Sequence, residues 1–338
     1  MRVGVLHNAV APGASKAEED VLVQVEAVSQ ALESLGHQPS SIPCTLDLEA
    51  ARRRLTEAKP DVVFNLVEAL GGSDWLSFLA PALLDATGLP YTGSSTAAMM
   101  ISTHKLLSKE RLCQAGLPTP AWLVVPKRRA AVPAPVFRPG PVYILKAVTE
   151  HASFGLDEHS LATPADEAAL LAELERTTAE LGQECFAEEY IDGREFNLSV
   201  LAGPDGPEVL PPAEIDFSAF PAGKPRIVGQ RAKWEEASFE YTNTPRRFDF
   251  PASERPLVER LQSLARQCWL AFGLGGYARV DFRVDPAGEP WILEVNANPC
   301  LSPDAGFAAA LQQASLPFAS AVARILDGAA GRLSRPSR

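Results

Sequence analysis

Cysteine is scarce. The five thiols, Cys44, Cys113, Cys185, Cys268 and Cys300, are odd in number, form no CxxC pair and have no histidine nearby at metal-ligand spacing. That pattern argues against a disulfide framework or a thiolate zinc site and fits the reduced thiols of the cytoplasm. No run of about 20 apolar residues occurs, so no membrane span is expected, and the apolar stretch within residues 1–7 is too short for a secretory leader. The expected location is therefore cytoplasmic. Basic residues are also outnumbered, 31 Lys plus Arg against 42 Asp plus Glu for a formal charge of -11. This makes neither nucleic acid nor an anionic membrane an expected partner, although a local phosphate pocket stays compatible with it. The first strand is not followed by GxGxxG, which sets aside a Rossmann dehydrogenase. No Ser-His-Asp or Cys-His nucleophile pattern and no internal repeat is visible.

At 338 residues the chain exceeds one compact core, and two or three subdomains around a shared cleft are expected. Residues 2–7 read as a buried strand. Val21, Val25, Val28, Leu32 and Leu35 then recur at helical spacing until Gly36. A helix near 46–58, a strand at 61–66 and a helix near 75–87 continue the alternation, which predicts a parallel sheet covered by helices. Ser102 or Thr103 can cap a helix running to about Gly116. A short strand at 122–125, an irregular Pro- and Arg-rich loop at 126–141, a strand at 142–147 and a helix at 164–181 follow. Strands at 184–191 and 195–201 flank Asp192-Gly193, a hairpin signal. The polar stretch 216–250 has little periodicity and suits an active-site lid. A helix near 252–272, strands at 276–284 and 290–296, and helices near 304–314 and 316–327 complete the chain. The basic tail 331–338 is expected to fray.

The last strand pair carries the most chemistry. A turn centred on Ala287-Gly288 places Asp281 opposite Glu294, with Asn296 on the same face. Carboxylates so paired lie roughly 5 Å apart and repel unless a cation joins them. Magnesium suits the position, since it takes one or two carboxylates together with substrate phosphates. The alternative is that Arg279 and Arg283, on the same strand face, neutralise the acids as a surface network. That alternative leaves the run Asn296, Asn298 and Pro299 at the strand end unexplained.

The sequence resembles the ATP-grasp superfamily and, within it, the D-alanine:D-alanine ligase group. The matching stretches are residues 89–94 (LPYTGS), 103–109 (THKLLSK), 143–147 (YILKA), 188–196 (EEYIDGREF), 276–281 (GYARVD) and 293–299 (LEVNANP), in an order and spacing that cover roughly residues 60–330. The resemblance implies an α/β and α+β chain: a Rossmann-like parallel-sheet domain at 1–101, ATP-grasp subdomains at 102–187 and 188–330, and a flexible tail at 331–338. Two small sheets would grip ATP. Lys105 and Lys146 would contact its phosphates, and Ser153 lies in the loop 149–155 that would cover them through backbone N–H groups. Glu188, Glu189, Tyr190 and Ile191 would form the adenine hinge, with Leu293 adding apolar contact and Glu195 accepting from the ribose. Asp281, Glu294 and Asn296 would hold Mg2+ (or Mn2+), and Arg279 would stabilise the transferred phosphoryl group. Lys233 falls where the family carries a lid lysine, an ordinary solvated loop lysine being the alternative. Lys109 reads as a solvated lysine.

The implied activity is an ATP-dependent ligation of a carboxylate to an amine through an acyl phosphate, joining two small-molecule substrates; a homodimer is left open. Positioning and charge neutralisation dominate such phosphoryl transfer, consistent with the missing nucleophile pattern. Several substrate-side positions depart from the family. Ala152 replaces a loop serine, Trp234 a lid tyrosine, Cys300 a glycine and Ala305 a carboxylate-binding serine. The substrate can therefore differ from D-alanine, and an ATP-binding protein without turnover is the rival reading. Glu18 or Glu19 would match an ammonium-binding glutamate, or simply favour a helix start. Cys300 lacks a positioned histidine base and reads as a packing residue.

Overall fold

In the computed structural model, which describes residues 1–124, 137–150 and 155–330, strand β1 (Arg2–Asn8) is buried from Val3 to His7. It lies between β2 (Gln38–Cys44) and β3 (Val62–Asn65) in a parallel sheet of order β2-β1-β3. The crossovers that parallel pairing requires are α1 (Lys16–Ser34) and α2 (Leu48–Ala58). One sheet face packs Leu6, Ile42, Leu55 and Val63 against Leu84 of α3 (Leu79–Thr87). The other packs Val3, Val5 and Phe64 together with Val28 of α1 against Phe307, Leu311, Val322 and Ile325, which come from the far end of the chain. The two termini thus share one core.

The expected helix towards Gly116 is present, but its cap is His104, while Ser102 and Thr103 end a separate helix before it. His104 leaves helical geometry (φ -90, ψ 103), closing α4 (Thr96–Thr103) and accepting from Leu107 N–H to start α5 (Lys105–Gln114). This break puts Lys105 in the first turn of a helix.

The second sheet, of order β4-β7-β5-β6, is antiparallel and contains β4 (Trp122–Leu123), β5 (Tyr143–Ala147), β6 (Leu161–Ala162) and β7 (Cys185–Glu189). Helix α6 (Glu167–Leu181) covers it with Leu170 and Leu174. The third sheet holds β8 (Arg194–Gly203), β9 (Gly206–Val209), β10 (Ala213–Ile215), β11 (Arg246–Arg247), β12 (Tyr277–Val284) and β13 (Pro290–Asn296), in the order β11-β10-β8-β12-β13 with β9 also on β8. Helix α9 (Arg255–Phe272) buries Leu261, Ala265 and Cys268 against it. The lid stretch carries two short helices, α7 (Gln230–Trp234) and α8 (Phe239–Thr242), and α10 (Gly306–Gln313) and α11 (Phe318–Ala330) end the described chain.

One expectation fails. Asp192-Gly193 does not make a hairpin, because β7 and β8 belong to different sheets. Gly193 is there for close approach: a Cβ on it would meet Val284 O at 2.0 Å. The lid stretch also has its own small core, in which Phe217, Phe220 and Phe239 pack ring to ring while Lys224 lies over two of them and pairs with Glu240 at 2.8 Å. The expected loop at 126–141 falls largely outside the described residues, as does the tail 331–338. All five thiols are free, and no helix among the described residues is long and apolar enough to cross a membrane.

Candidate active site

A cavity of about 700 Å³ opens between the second and third sheets and is lined by Lys105, Lys146, Glu188, Glu189, Tyr190, Ile191, Glu195, Lys233, Arg279, Asp281, Leu293, Glu294 and Asn296. Every site residue expected from the sequence is there except Ser153, which lies outside the described residues, as does Ala152.

The β12–β13 hairpin forms the floor. Asp281 pairs directly with Glu294, and Arg279 with Asn296, so all four share a face. The turn does not do this by itself. Residues 282–284 pair with 292, 291 and 290, a register that would set Asp281 opposite Leu293; a β-bulge between Asp281 and Phe282 absorbs one residue and brings Glu294 into place. Arg279 donates twice to Asp281 at 2.8 Å, and Asn197, its neighbour on β8, donates at 2.9 Å. Alternation from Glu195 along the same strand could have identified Asn197. Arg279 is held firmly protonated: burial opposes the charge, and Asp281 and Glu294 outweigh it.

The neutralising network considered from the sequence is therefore half present, since Arg279 pairs with Asp281 but Arg283 pairs with neither acid. Arg283 instead braces the hinge. Its guanidinium donates to Ile191 O at 2.9 Å, to Arg226 O at 2.8 Å, to the Tyr190 hydroxyl at 3.3 Å and to Glu195 at 3.1 Å. Burial raises the Glu195 carboxyl, and Arg283 offsets part of the rise. Asn298 is structural, accepting from Tyr277 Oη at 2.7 Å and donating to Val67 O at 3.1 Å, which ties the hairpin end to the first sheet.

On the opposite wall, Lys146 of β5 pairs with Glu188, and Lys105 donates to Glu150 O. Lys109 is not solvated. It is 2% exposed and reaches Glu188 at 2.5 Å, because the buried acid needs a permanent counter-charge. Burial alone would raise Glu188; Lys109 and Lys146 outweigh it and hold the carboxyl below its usual range. Burial lowers both Lys105 and Lys233, with Glu294 opposing in each case and Arg279 adding to the fall of Lys233.

One end of the cavity lies between α1 and the start of α10. Glu18 is spent on its own helix, accepting from Ser15 N–H at 2.9 Å in a capping box, so the helix-start reading holds for it. Two residues later, Asp20 accepts from the Ser302 hydroxyl at 2.7 Å and from the Cys300 thiol at 3.0 Å. Burial, Glu68 and Asp20 push the Cys300 thiol far up, so it stays protonated. Gln24 links Asp20 to Glu68, donating at 3.3 and 3.0 Å. Arg246, which lies in a stretch without a periodic signal, donates to Asp304 O at 3.2 Å above Gly306 and makes no ion pair among the described residues. Ala305, the N-cap of α10, offers no side-chain bond to the helix start.

The arrangement can hold a polyphosphate between cations and an acidic metal face, next to a pocket with both acidic and basic walls. Sequence comparison agrees in kind: the D-ala D-ala ligase C-terminus family model matches residues 113–327. The chain belongs to the D-alanine–D-alanine ligase family. It is accordingly an ATP-dependent ligase that forms a carbon–nitrogen bond. A D-alanine–D-alanine ligase of Gloeobacter violaceus is 32% identical over 337 residues, covering 97% of this chain and 99% of its own. One of Moorella thermoacetica is 31% identical over 336 residues, covering 97% and 98%. Among solved structures, the D-alanine–D-alanine ligase of Bacillus anthracis complexed with ATP superimposes with a TM-score of 0.74 at 21% identity, over 98% of each chain. The ATP-grasp fold expected from the sequence is the fold of this family member.

Proposed function

We propose that this ligase binds ATP in the cavity between its second and third sheets and uses it to join an amino-acid carboxylate to an amino-acid amine, giving a dipeptide or related amide. The observation that carries the reading is the direct pairing of Asp281 with Glu294 on a face shared with Arg279, in a cavity that also holds Lys105, Lys146 and Lys233. In this reading residues 1–101, 102–187 and 188–330 act as an N-terminal domain and two ATP-gripping subdomains, and the enzyme works in the cytoplasm.

Lys105 and Lys146 bind phosphate oxygens, and Ser153 belongs to the loop that covers them. Glu188, Glu189, Tyr190 and Ile191 contact adenine with Leu293, and Glu195 accepts from the ribose. Among the described residues no group of three or more His, Cys, Asp or Glu could hold a metal by itself. Two carboxylates and the Asn296 amide nevertheless fit magnesium, which completes its shell with phosphate oxygens and water. When bound there, magnesium neutralises phosphate charge. Arg279 and Lys233 supply fixed positive charge where the substrate carboxylate attacks the γ-phosphorus and ADP leaves. The amine then displaces phosphate from the acyl phosphate, while the 216–250 lid keeps water out. At the substrate end Asp20 and Glu68 suit an ammonium, and Arg246 with the start of α10 suits a carboxylate. Trp234, Cys300 and Ala305 reshape that end, so D-alanine is the first substrate to test but not the only one.

The test is phosphate release from Mg-ATP in the presence of paired D- and L-amino acids, with mass spectrometry of the products. A pair-dependent release with a new amide mass is expected. Absence of release with every pair, despite ATP binding, would overturn the reading.

A further inference from the structure

The mechanism above assigns no task to Lys109, the most deeply buried cation of the cleft wall. It sits one turn after Lys105 on α5 and does not line the cavity, whereas Lys146 and Glu188 do. Its ammonium donates to Thr119 Oγ1 and to Pro120 O, each at 2.9 Å, lies over the Trp122 ring at 5.1 Å and pairs with Glu188 Oε1. Thr119 in turn donates to Ile292 O at 2.9 Å, next to the bulge residue Leu293. Lys146 holds the other oxygen of Glu188 from the cavity side, and its side chain is 13% exposed against 2% for Lys109 and 1% for Glu188. One buried carboxylate therefore has two ammonium partners, an inner one fixed by three elements and an outer one facing the cavity.

We propose that Lys109 is a positioning residue that permanently neutralises Glu188 and so frees Lys146 to exchange the carboxylate for a nucleotide phosphate. The inference rests on the ATP-site reading above. A buried carboxylate does not give up its last counter-ion readily, because removing one partner of a buried pair leaves an uncompensated charge. With Lys109 in place, Glu188 keeps a partner when Lys146 moves, and the exchange is open. Without Lys109, Lys146 becomes the only counter-charge and stays on Glu188, out of reach of the phosphate.

The experiment is calorimetric titration of Mg-ADP and of adenosine into the wild type, Lys109→Met, Lys146→Met, Glu188→Gln and the double variants Lys109→Met/Lys146→Met and Lys109→Met/Glu188→Gln, with thermal melts of each. Lys109→Met is expected to weaken Mg-ADP about tenfold, as Lys146→Met does, and to leave adenosine within about twofold. In the Lys146→Met or Glu188→Gln background the same change is expected to cost Mg-ADP affinity less than about twofold, because the trapped pair no longer exists. Additive losses in those backgrounds, or equal losses for adenosine and Mg-ADP, would overturn the inference and leave Lys109 a purely structural lysine. Should Lys109→Met fail to fold, the comparison of Glu188→Gln with Lys109→Met/Glu188→Gln still decides, since neither leaves an uncompensated acid. A wild type that binds no Mg-ADP would sink the ATP-site reading itself, a separate outcome.

Discussion

Replacing Arg283 by Met removes the brace between residues 190–191, the 216–250 stretch and the β12–β13 hairpin. The magnitude follows from burial: the Arg283 side chain is 4% exposed and that of Glu195 15%, so solvent screens their pair little. Removing one member of such a pair costs about 3–5 kcal/mol, more than the orphaned carbonyls of Ile191 and Arg226, which border the cavity and can take water. For a chain of this length that corresponds to a thermal midpoint lower by roughly 5 °C. The loss depends on pH with a definite sign. The Glu195 carboxyl already sits above the ordinary glutamate value of 4.5 because of burial, and losing Arg283 raises it further. A carboxyl raised in the folded state penalises folding only where it must ionise. The deficit is therefore small near pH 4.5, grows as pH rises towards the folded value, and is constant above it. Thermal melts at pH 5 and pH 8 should show the larger deficit at pH 8, and Arg283→Met/Glu195→Gln should recover most of it. The KM for ATP should rise more than kcat falls, since Tyr190, Ile191 and Glu195 lose their support. An equal deficit at both pH values, with no recovery in the double variant, would refute the pair as the source.

Glu294→Gln should raise the magnesium concentration needed for half-maximal turnover about tenfold, because an amide gives the ion one neutral donor in place of a charged one; a magnesium titration unchanged from wild type would remove Glu294 from the metal site. Lys233 is lowered from 10.5 by burial and Arg279, so the alkaline limb of kcat/KM should begin below the usual lysine range, and Lys233→Arg should move that limb to higher pH while retaining some activity. Cys300→Ala should keep activity within about threefold and only loosen Asp20, since a thiol held protonated is no nucleophile; an activity loss of a hundredfold would require a direct role for its sulfur.

Much of this was legible in the sequence where the signal is local. The 2-residue alternation of 277–284 and 290–296 and the turn between them place Asp281, Glu294, Asn296 and Arg279 together, and the structure brings them to one face. The hinge 188–191 likewise lies in the cavity. What was not legible depends on partners distant in sequence. Lys109 reads as solvated because nothing near it in the chain announces Glu188, 79 positions away, as the acid that lets it be buried. Gly193 carries a turn signature but is required by the Val284 carbonyl of the neighbouring strand β12, and the break at His104 has no proline or glycine to mark it. Arg246 lies in a stretch whose packing is set by its own aromatic cluster rather than by a period.

The bulge decides which side chains of β13 reach the cavity. Asp285 fixes the turn, its Oδ1 accepting from the N–H groups of Ala287 and Glu289, each at 2.9 Å, and its Oδ2 from Trp291 Nε1 at 3.1 Å. With that end locked, a regular ladder would carry Leu293 to the position opposite Asp281 and turn Glu294 to the buried side of the sheet, where an unpaired carboxylate is not tolerated. The one added residue returns Glu294 to the cavity and leaves Leu293 beside it as an apolar side chain at the same surface. A single irregularity therefore adds the Glu294 carboxylate to the face of Asp281 without removing Leu293 from the cavity.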